Sequence, residues 1–296
     1  MRASGVAVGL VVALTIGAAA AVLHARDAGG DLPVSGERLM YLRSGRTADR
    51  LFLTFDAVAA DVYWMRAIQH YGRDRRSPRL EGRFELLEPL LDLTTTLDPY
   101  FNIAYRFGAI FLSMDPPNGP GRPDQAIALL EKGLRHRPDR WQYAHDIGFV
   151  HYWHTGDYLQ AAQWFERAAE MPDAPEWIRQ VAAVTRAEGG DRQGARQLLS
   201  EILNADEDYI RGAAARSLAQ LDALDAIDQL TAVVERYRRA EGHLPQGWTE
   251  LVSRGYLRGV PLDRAGLPFI YDASSGRVAL HPSSDLLPLP YGMRRD

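Results

Sequence analysis

The chain has 296 residues and a formal net charge of -4, so it is long enough for one large domain or two modest ones and lacks the dense positive charge that a nucleic-acid partner requires. It contains no cysteine, which excludes disulfides, thiolate zinc sites and a cysteine nucleophile. Hydrophobic residues make up 46% of the chain, an ordinary proportion for a globular protein, and we therefore expect a sizeable core.

The first 25 residues predict a membrane anchor or a signal sequence. Residues 5–23 carry no charge, and nineteen residues at about 1.5 Å each span about 28 Å, close to the hydrocarbon thickness of a bilayer. A cleaved signal peptide is the alternative, because small residues end the segment and "VLHA" before Arg26 resembles a poor cleavage site. Both interpretations place the rest of the chain outside the cytoplasm, and we expect a single-pass protein of the bacterial inner membrane.

A linker and a long helical region follow. Residues 26–50 are rich in Gly, Arg and Asp and have no apolar period, which is typical of a linker. From Leu51 to residue 241, apolar residues recur every three and four positions, and Pro or Gly clusters such as "DPPNGPGRPD", "HRPD" and "EGGD" interrupt them. The pattern predicts a mainly α-helical fold whose helices end at these clusters.

The interruptions are regularly spaced, and the segments between them resemble one another. "GDYLQAAQWFERAAEMP" places small Ala161 and Ala168 around Phe165 and ends in Pro172, and "GGDRQGARQLLSEIL" and "RPDQAIALLEKGLRHRP" follow the same order. Upstream of two of them lie the large-small pairs Phe107-Gly108 and Ile147-Gly148. Small residues let two helices approach closely, and a proline ends the second helix.

This pattern resembles the tetratricopeptide repeat, in four units at about 61–99, 100–138, 139–172 and 175–205. The first two units carry insertions, the third has one extra residue in its first helix, and the fourth lacks the closing proline. The resemblance implies an α-solenoid of antiparallel helix pairs over 51–241. We expect it to end in a further helix pair, "DEDYIRGAAARSLAQL" and "DAIDQLTAVVERYRRAEG", whose second helix acts as a cap.

The tail, residues 242–296, changes character and predicts a small β-hairpin appended to a helix. Residues 269–271 and 277–280 are β-prone and flank a turn at Ser274-Ser275-Gly276. The tail also resembles the globular end of type II secretion pseudopilins, on the residues Pro261, Asp263, Gly266, Pro268 and Tyr271. Ala265 replaces the tryptophan of that family, and the pilin leader is missing, so we do not identify the chain as a pilin. The alternative is a turn and hairpin that pack on themselves.

Three histidines within ten residues, His145, His151 and His154, raise the question of a metal site. In the phase of the repeat they point in different directions, so we expect no metal or other cofactor. The chain has no serine elbow, Walker loop, HExxH or GxGxxG motif, and we expect no enzymatic activity.

The resemblance instead implies a peptide-binding surface on the concave side of the solenoid. The residues in the matching positions are Asn102, Tyr105, Arg106, His145, Phe149, Tyr152, Trp153, Trp177 and Gln180. Aromatic rings supply contact area at low entropic cost, and the amide and guanidinium groups satisfy backbone carbonyls of an extended or helical peptide. Alternatively, several of these side chains pack only against the neighbouring repeat or the tail.

We therefore expect a non-catalytic, membrane-anchored scaffold that binds protein partners in a hetero-oligomeric assembly of the bacterial envelope, of the secretion or pilus type. The alternative is an accessory subunit of a membrane enzyme or electron-transfer complex, in which the solenoid holds cofactor-bearing subunits and binds no cofactor itself.

Overall fold

A computed structural model describes residues 56–78 and 81–290, together with the two helical positions Gly17 and Ala21. The predicted anchor, residues 5–23, lies outside the described residues apart from these two positions, and so does the whole predicted linker, residues 26–50. Within the described part of the chain, none of the helices combines the length and the apolar character needed to cross a bilayer.

The described residues are mainly helical, which confirms the predicted fold class. The elements in chain order are α1 (Asp56–Arg76), α2 (Leu87–Leu97), α3 (Asn102–Ser113), α4 (Pro123–His136), α5 (Trp141–Val150), a π-helix (His151–Thr155), α6 (Tyr158–Ala169), α7 (Trp177–Glu188), α8 (Arg192–Ile202), α9 (Asp208–Glu241), α10 (Trp248–Ser253), β1 (Ile270–Tyr271) and β2 (Val278–Ala279).

The Gly-Asp turns of the sequence start two of these helices. Gly156 and Gly190 adopt left-handed backbone, with φ of 69° and 91°, which glycine tolerates without strain. The following aspartates are N-caps: the Asp157 carboxylate accepts from the Gln160 N–H at 3.0 Å, and that of Asp191 accepts from the Gly194 N–H at 2.8 Å. Pro123 occupies the first turn of α4, where its missing N–H has no cost.

Eight of the helices pack as consecutive pairs: α1 with α2, α3 with α4, α5 with α6, and α7 with α8. We call the first member of each pair a first helix and the other a second helix. Helix α3 also contacts α5, and α2 contacts α4, so first helices lie beside first helices and second beside second. The helices approach closely at glycines. A Cβ on Gly108 would lie 2.8 Å from Leu91 Cδ2, and a Cβ on Gly148 would lie 2.7 Å from Phe165 Cδ1.

The chain's single lysine joins the first two pairs. The Nζ atom of Lys132, on α4, lies 2.9 Å from the Asp92 carbonyl, 2.6 Å from the Asp92 carboxylate, and 3.0 and 2.7 Å from the hydroxyls of Thr95 and Thr96. These groups belong to the last turns of α2, where a cation is favoured by the helix dipole. A compact ammonium with three rotatable donors suits such a cluster better than a planar guanidinium.

The π-helix accounts for the extra residue predicted in the third unit. Residues 151–155 form the wider π turn directly after α5, and left-handed Gly156 ends it. Because a π turn holds more residues than an α turn, it absorbs one inserted residue without displacing the helix that follows. Such turns are frequent at functional sites, and this one carries Tyr152 and Trp153.

The predicted helix pair after residue 205 is wrong: α9 is one continuous helix of 34 residues. Neither proline nor glycine interrupts residues 213–241, and apolar residues continue at helical spacing through Leu221, Leu224 and Leu230. The two halves of α9 belong to different cores. Its first half packs with α7 and α8, whereas Val234 and Tyr237 pack with the tail.

The predicted hairpin is confirmed. Strands β1 and β2 are antiparallel, with Ile270 opposite Ala279. Asp272 organises the turn, because its carboxylate accepts from the hydroxyls of Ser274 and Ser275, and these hydrogen bonds lower its pKa. The Trp248 indole, from α10, donates to the Phe269 carbonyl at 2.7 Å and fixes the hairpin on the helix.

The stretch that resembles pseudopilins forms a tight turn that also bonds to the end of the tail, because the Ser284 hydroxyl donates to the Asp263 carboxylate at 3.0 Å. The Asp263 carboxylate accepts from the N–H groups of Ala265 and Leu267, each at 2.9 Å, and a bridge pairs Leu262 with Pro268. Further on, the guanidinium of Arg216, on α9, donates to the carbonyls of Asp285 and Leu287 at 2.8 and 2.9 Å. The end of the tail is therefore held along the long helix.

Candidate partner-binding surface and pocket

The first helices expose large apolar side chains, which we call the first-helix face. Its members are Val58, Val62 and Met65 on α1, Ile103, Phe107 and Ile110 on α3, Phe149 on α5, Trp153 on the π-helix and Trp177 on α7. On α1 and α3 the spacing of four and then three residues puts each set on one side of its helix. Phe107 is 51% and Trp153 is 43% exposed, so these side chains are not ordinary core residues.

The arrangement of the helices directs these side chains to a common surface. Each first helix is covered by its second helix on one side and joined to the next first helix by ring contacts. Trp64 stacks on Phe111 at 6.1 Å, and Trp141 meets the edge of Trp177 at 6.4 Å. The remaining side of each first helix faces solvent. A cluster of exposed apolar side chains of this kind is typical of an interaction site.

A pocket of about 480 Å³ opens where this face reaches the third and fourth helix pairs. It lies between α5, the π-helix, α6 and α7. Its lining residues are His145, Phe149, Tyr152, Trp153, Phe165, Trp177, Gln180, Val181, Val184, Thr185 and Glu188. This volume lies within the range of about 300–1,000 Å³ that small-ligand sites occupy.

Aromatic rings in edge and tilted contacts form most of the wall. His145 lies edge-on to Trp177 at 5.7 Å and packs on Phe165 at 5.4 Å. Across the opening, Tyr152 lies edge-on to Trp153 at 5.3 Å, and Phe149 contacts the same indole at 6.1 Å. These contacts fix the rings before any ligand arrives, which lowers the entropic cost of binding.

The acidic group of the pocket is the Glu188 carboxylate, at the end of α7, and Gln180 and Thr185 are further polar residues of the lining. Burial raises the pKa of Glu188, and a hydrogen bond with the Tyr152 hydroxyl opposes the shift. Burial, together with the same carboxylate, raises the pKa of the Tyr152 phenol. Within the described part of the chain, the second carboxylate oxygen, Oε2, is buried and has no hydrogen-bond partner. Such an oxygen is costly to leave unsatisfied.

Six of the nine residues predicted from the repeat phase lie in the pocket wall, namely His145, Phe149, Tyr152, Trp153, Trp177 and Gln180. Asn102 and Arg106 lie outside it. The Arg106 guanidinium donates to both carboxylate oxygens of Asp146, at 2.5 and 3.1 Å, so it joins α3 to α5 instead of meeting peptide carbonyls. Asn102 is half-buried at the start of α3.

The surface position predicted for Tyr105 is wrong, because its ring is fully buried. It packs on Tyr143 at 5.3 Å, and its hydroxyl donates to the Thr95 carbonyl at 3.3 Å. Gly133 makes the space: a Cβ there would lie 3.1 Å from Tyr105 Cδ1 and 3.0 Å from Tyr143 Cε2. The exposed stripe of α3 passes through Phe107, about one third of a helical turn from the predicted one.

The three histidines do not converge. His145 lies in the pocket wall, with Nδ1 3.2 Å from the Asp146 carboxylate. The backbone carbonyl of His151 accepts from the Thr155 hydroxyl within the π-helix, and His154 Nδ1 lies 3.7 Å from Asp115 Oδ1. Among the residues that the structure describes, no group of three or more His, Asp or Glu side chains is arranged to hold a metal ion.

Four pocket residues of α7 were not predicted from the sequence: Val181, Val184, Thr185 and Glu188. Of these, Val184 and Glu188 lie on the same stripe as Trp177. They follow Trp177 by seven and eleven residues, and this spacing puts all three side chains on one side of the helix. Extending the stripe from Trp177 and Gln180 by two turns would have found both. Phe165 was recognised as a core residue between helices, and it also closes the floor of the pocket.

We compared the chain with models of known protein families, with curated proteins and with solved structures, and none of the three comparisons found a match.

Proposed function

We propose that this chain is a non-catalytic, tetratricopeptide-like scaffold that binds a segment of a partner protein along the first-helix face. The observation that carries the proposal is the run of exposed apolar side chains on adjacent first helices, from Val62 through Phe107 to Phe149 and Trp153. A groove lined in this way accepts the apolar side of an amphipathic helix or an extended segment. In the proposed solenoid, this face is the concave side.

The proposed setting is a hetero-oligomeric assembly of the bacterial envelope, of the secretion or pilus type. Two features support it. Residues 5–23 are long and apolar enough to anchor the chain in the inner membrane, with the solenoid outside the cytoplasm. The tail turn at Pro261–Pro268 resembles a pseudopilin segment, although it also packs on itself. An intact mass of the mature protein distinguishes an anchor that stays from a signal peptide that is cleaved.

Site-specific photo-crosslinking in the native membrane tests the proposed surface. A photoreactive phenylalanine analogue replaces Phe107 or Phe149 on the first-helix face, and Gln163 or Glu131, both exposed on second helices, in the matched controls. We expect defined protein adducts from Phe107 and Phe149 and none from the controls. Adducts of equal yield from both sides, or from the second helices only, would contradict the proposal.

A further inference from the structure

We propose that the pocket between α5 and α7 receives an arginine side chain of the partner, with the guanidinium between the aromatic rings and the Glu188 carboxylate as its counter-ion. The inference rests on the proposed function, because it identifies one feature of the segment that lies on the first-helix face. It concerns a different position of that face from Phe107, so the two proposals can fail separately.

The Glu188 carboxylate lacks a counter-ion. Within the described part of the chain, Glu188 takes part in no ion pair, and its buried Oε2 accepts no hydrogen bond. A cation lies only two residues away, but it serves other carboxylates: Arg186 donates to Glu166 at 2.7 and 2.8 Å and to Asp191 at 2.7 Å. A partly buried carboxylate without a counter-ion is unfavourable, and a cation from outside would satisfy its free oxygen.

Aromatic rings surround that carboxylate in the pocket wall. Tyr152, Trp153 and Trp177 line the same pocket, and the faces of such rings attract a cation that lies within about 6 Å of the ring centre. The fold already uses this contact elsewhere, since the Arg167 guanidinium lies 4.9 Å above the Trp164 ring. Rings and one carboxylate together select a group that is both flat and positively charged.

Arginine fits these walls better than lysine or a neutral side chain. Its guanidinium is planar, stacks on rings and binds a carboxylate through two parallel hydrogen bonds. It is also more weakly hydrated than an ammonium group, so its transfer into an apolar pocket costs less. At about 480 Å³ the pocket holds a long side chain, whereas a whole helix belongs on the open face beside it.

Fluorine NMR of the full-length, detergent-solubilised protein tests the inference. The six tryptophans are labelled as 5-fluorotryptophan, and Trp153→Phe and Trp177→Phe identify the two pocket signals. The probe is N-acetyl-arginine methylamide, and its neutral isostere is the corresponding citrulline compound. We expect a saturable shift of both signals with the arginine probe and about tenfold weaker binding of the citrulline compound.

A matched pair of variants isolates the carboxylate. Glu188→Gln keeps the shape of the side chain and should weaken the arginine probe about tenfold without changing citrulline binding. Glu170→Gln, at an exposed position at the end of α6, should change neither. Unchanged signals of the other four tryptophans show that each variant is folded.

Equal binding of the two probes would overturn the inference, and so would an unaltered affinity of Glu188→Gln for the arginine probe, or no saturable shift in the wild type. In the first two cases the pocket takes a neutral group, for example through a protonated Glu188 that donates to a backbone carbonyl. Crosslinking from Phe107 would still report on the scaffold function, because that residue lies on α3, outside the pocket.

Discussion

Gly148→Ala tests whether close helix approach at glycine stabilises the third pair. A Cβ at this position would lie 2.7 Å from both Cδ1 and Cε1 of Phe165 and 3.1 Å from the Ala161 carbonyl oxygen. The Phe165 ring is buried and cannot swing away freely, so we expect an overpacking cost of about 2 kcal/mol. Alanine regains about 1 kcal/mol of helix propensity. The net loss of stability is about 1 kcal/mol.

The same substitution at Gly212 is the control. Gly212 is exposed in the long helix α9, and no atom lies within 4 Å of the added Cβ. Without a clash, Gly212→Ala should gain about 0.4–1 kcal/mol. The two glycine-to-alanine variants should therefore differ by about 2 kcal/mol in free energy of unfolding. This difference corresponds to about 4–8 °C in melting temperature for a protein of this size.

Thermal unfolding followed by circular dichroism measures this difference, with the urea midpoint as a second readout. If Gly148→Ala is as stable as Gly212→Ala, the close approach between α5 and α6 does not limit packing. The physical basis of the large-small pairs Phe107-Gly108 and Ile147-Gly148 would then be wrong as well.

Three further variants test other contacts. Burial raises the pKa of Glu188, so the folded state binds a proton on this carboxyl more tightly than the unfolded chain does. Protonation of Glu188 therefore stabilises the fold. This contribution is complete below about pH 4.5 and is lost as the pH rises through the folded-state pKa. Glu188→Gln should therefore be more stable than the wild type at pH 7 and equal to it below pH 4.5 in urea titrations, and a less stable variant at pH 7 would refute this. Lys132→Met leaves the acceptors around Asp92 unpaired and should lower the free energy of unfolding by about 1–3 kcal/mol in the same urea titrations. An unchanged free energy would show that water satisfies these acceptors. Arg216→Ala removes the donor to the carbonyls of Asp285 and Leu287 and should raise the rate of proteolysis there several-fold, whereas an unaltered rate would show that other contacts hold the tail.

The local part of the fold could be predicted because its signals are local. Gly156-Asp157 and Gly190-Asp191 are a left-handed residue and an N-cap whatever surrounds them, and Ser274-Ser275-Gly276 turns a hairpin by itself. The long helix α9 could not be predicted in the same way. Its second half is supported by residues such as Leu251 and Phe269, which are remote in sequence.

The candidate site shows the same division. The phase of the repeat predicted the aromatic residues of α5 and α7 that line the pocket, but on α3 it predicted an exposed Tyr105, whereas the exposed ring is Phe107. Only the space at Gly133, on the next helix, decides between them. Glu188 was missed because a glutamate near a helix end is typical of a solvated position, and its burial follows from Tyr152, which the π-helix places against it.

The single lysine makes local unfolding of α4 measurable by limited proteolysis. An endoprotease specific for lysine finds one target bond in the whole chain, between Lys132 and Gly133, and that bond lies inside α4 with the ammonium held by α2. The bond becomes cleavable only when α4 unwinds, so the cleavage rate reports how often this one junction opens. Native proteolysis with such an enzyme therefore follows opening at the second helix pair without labels or mutations.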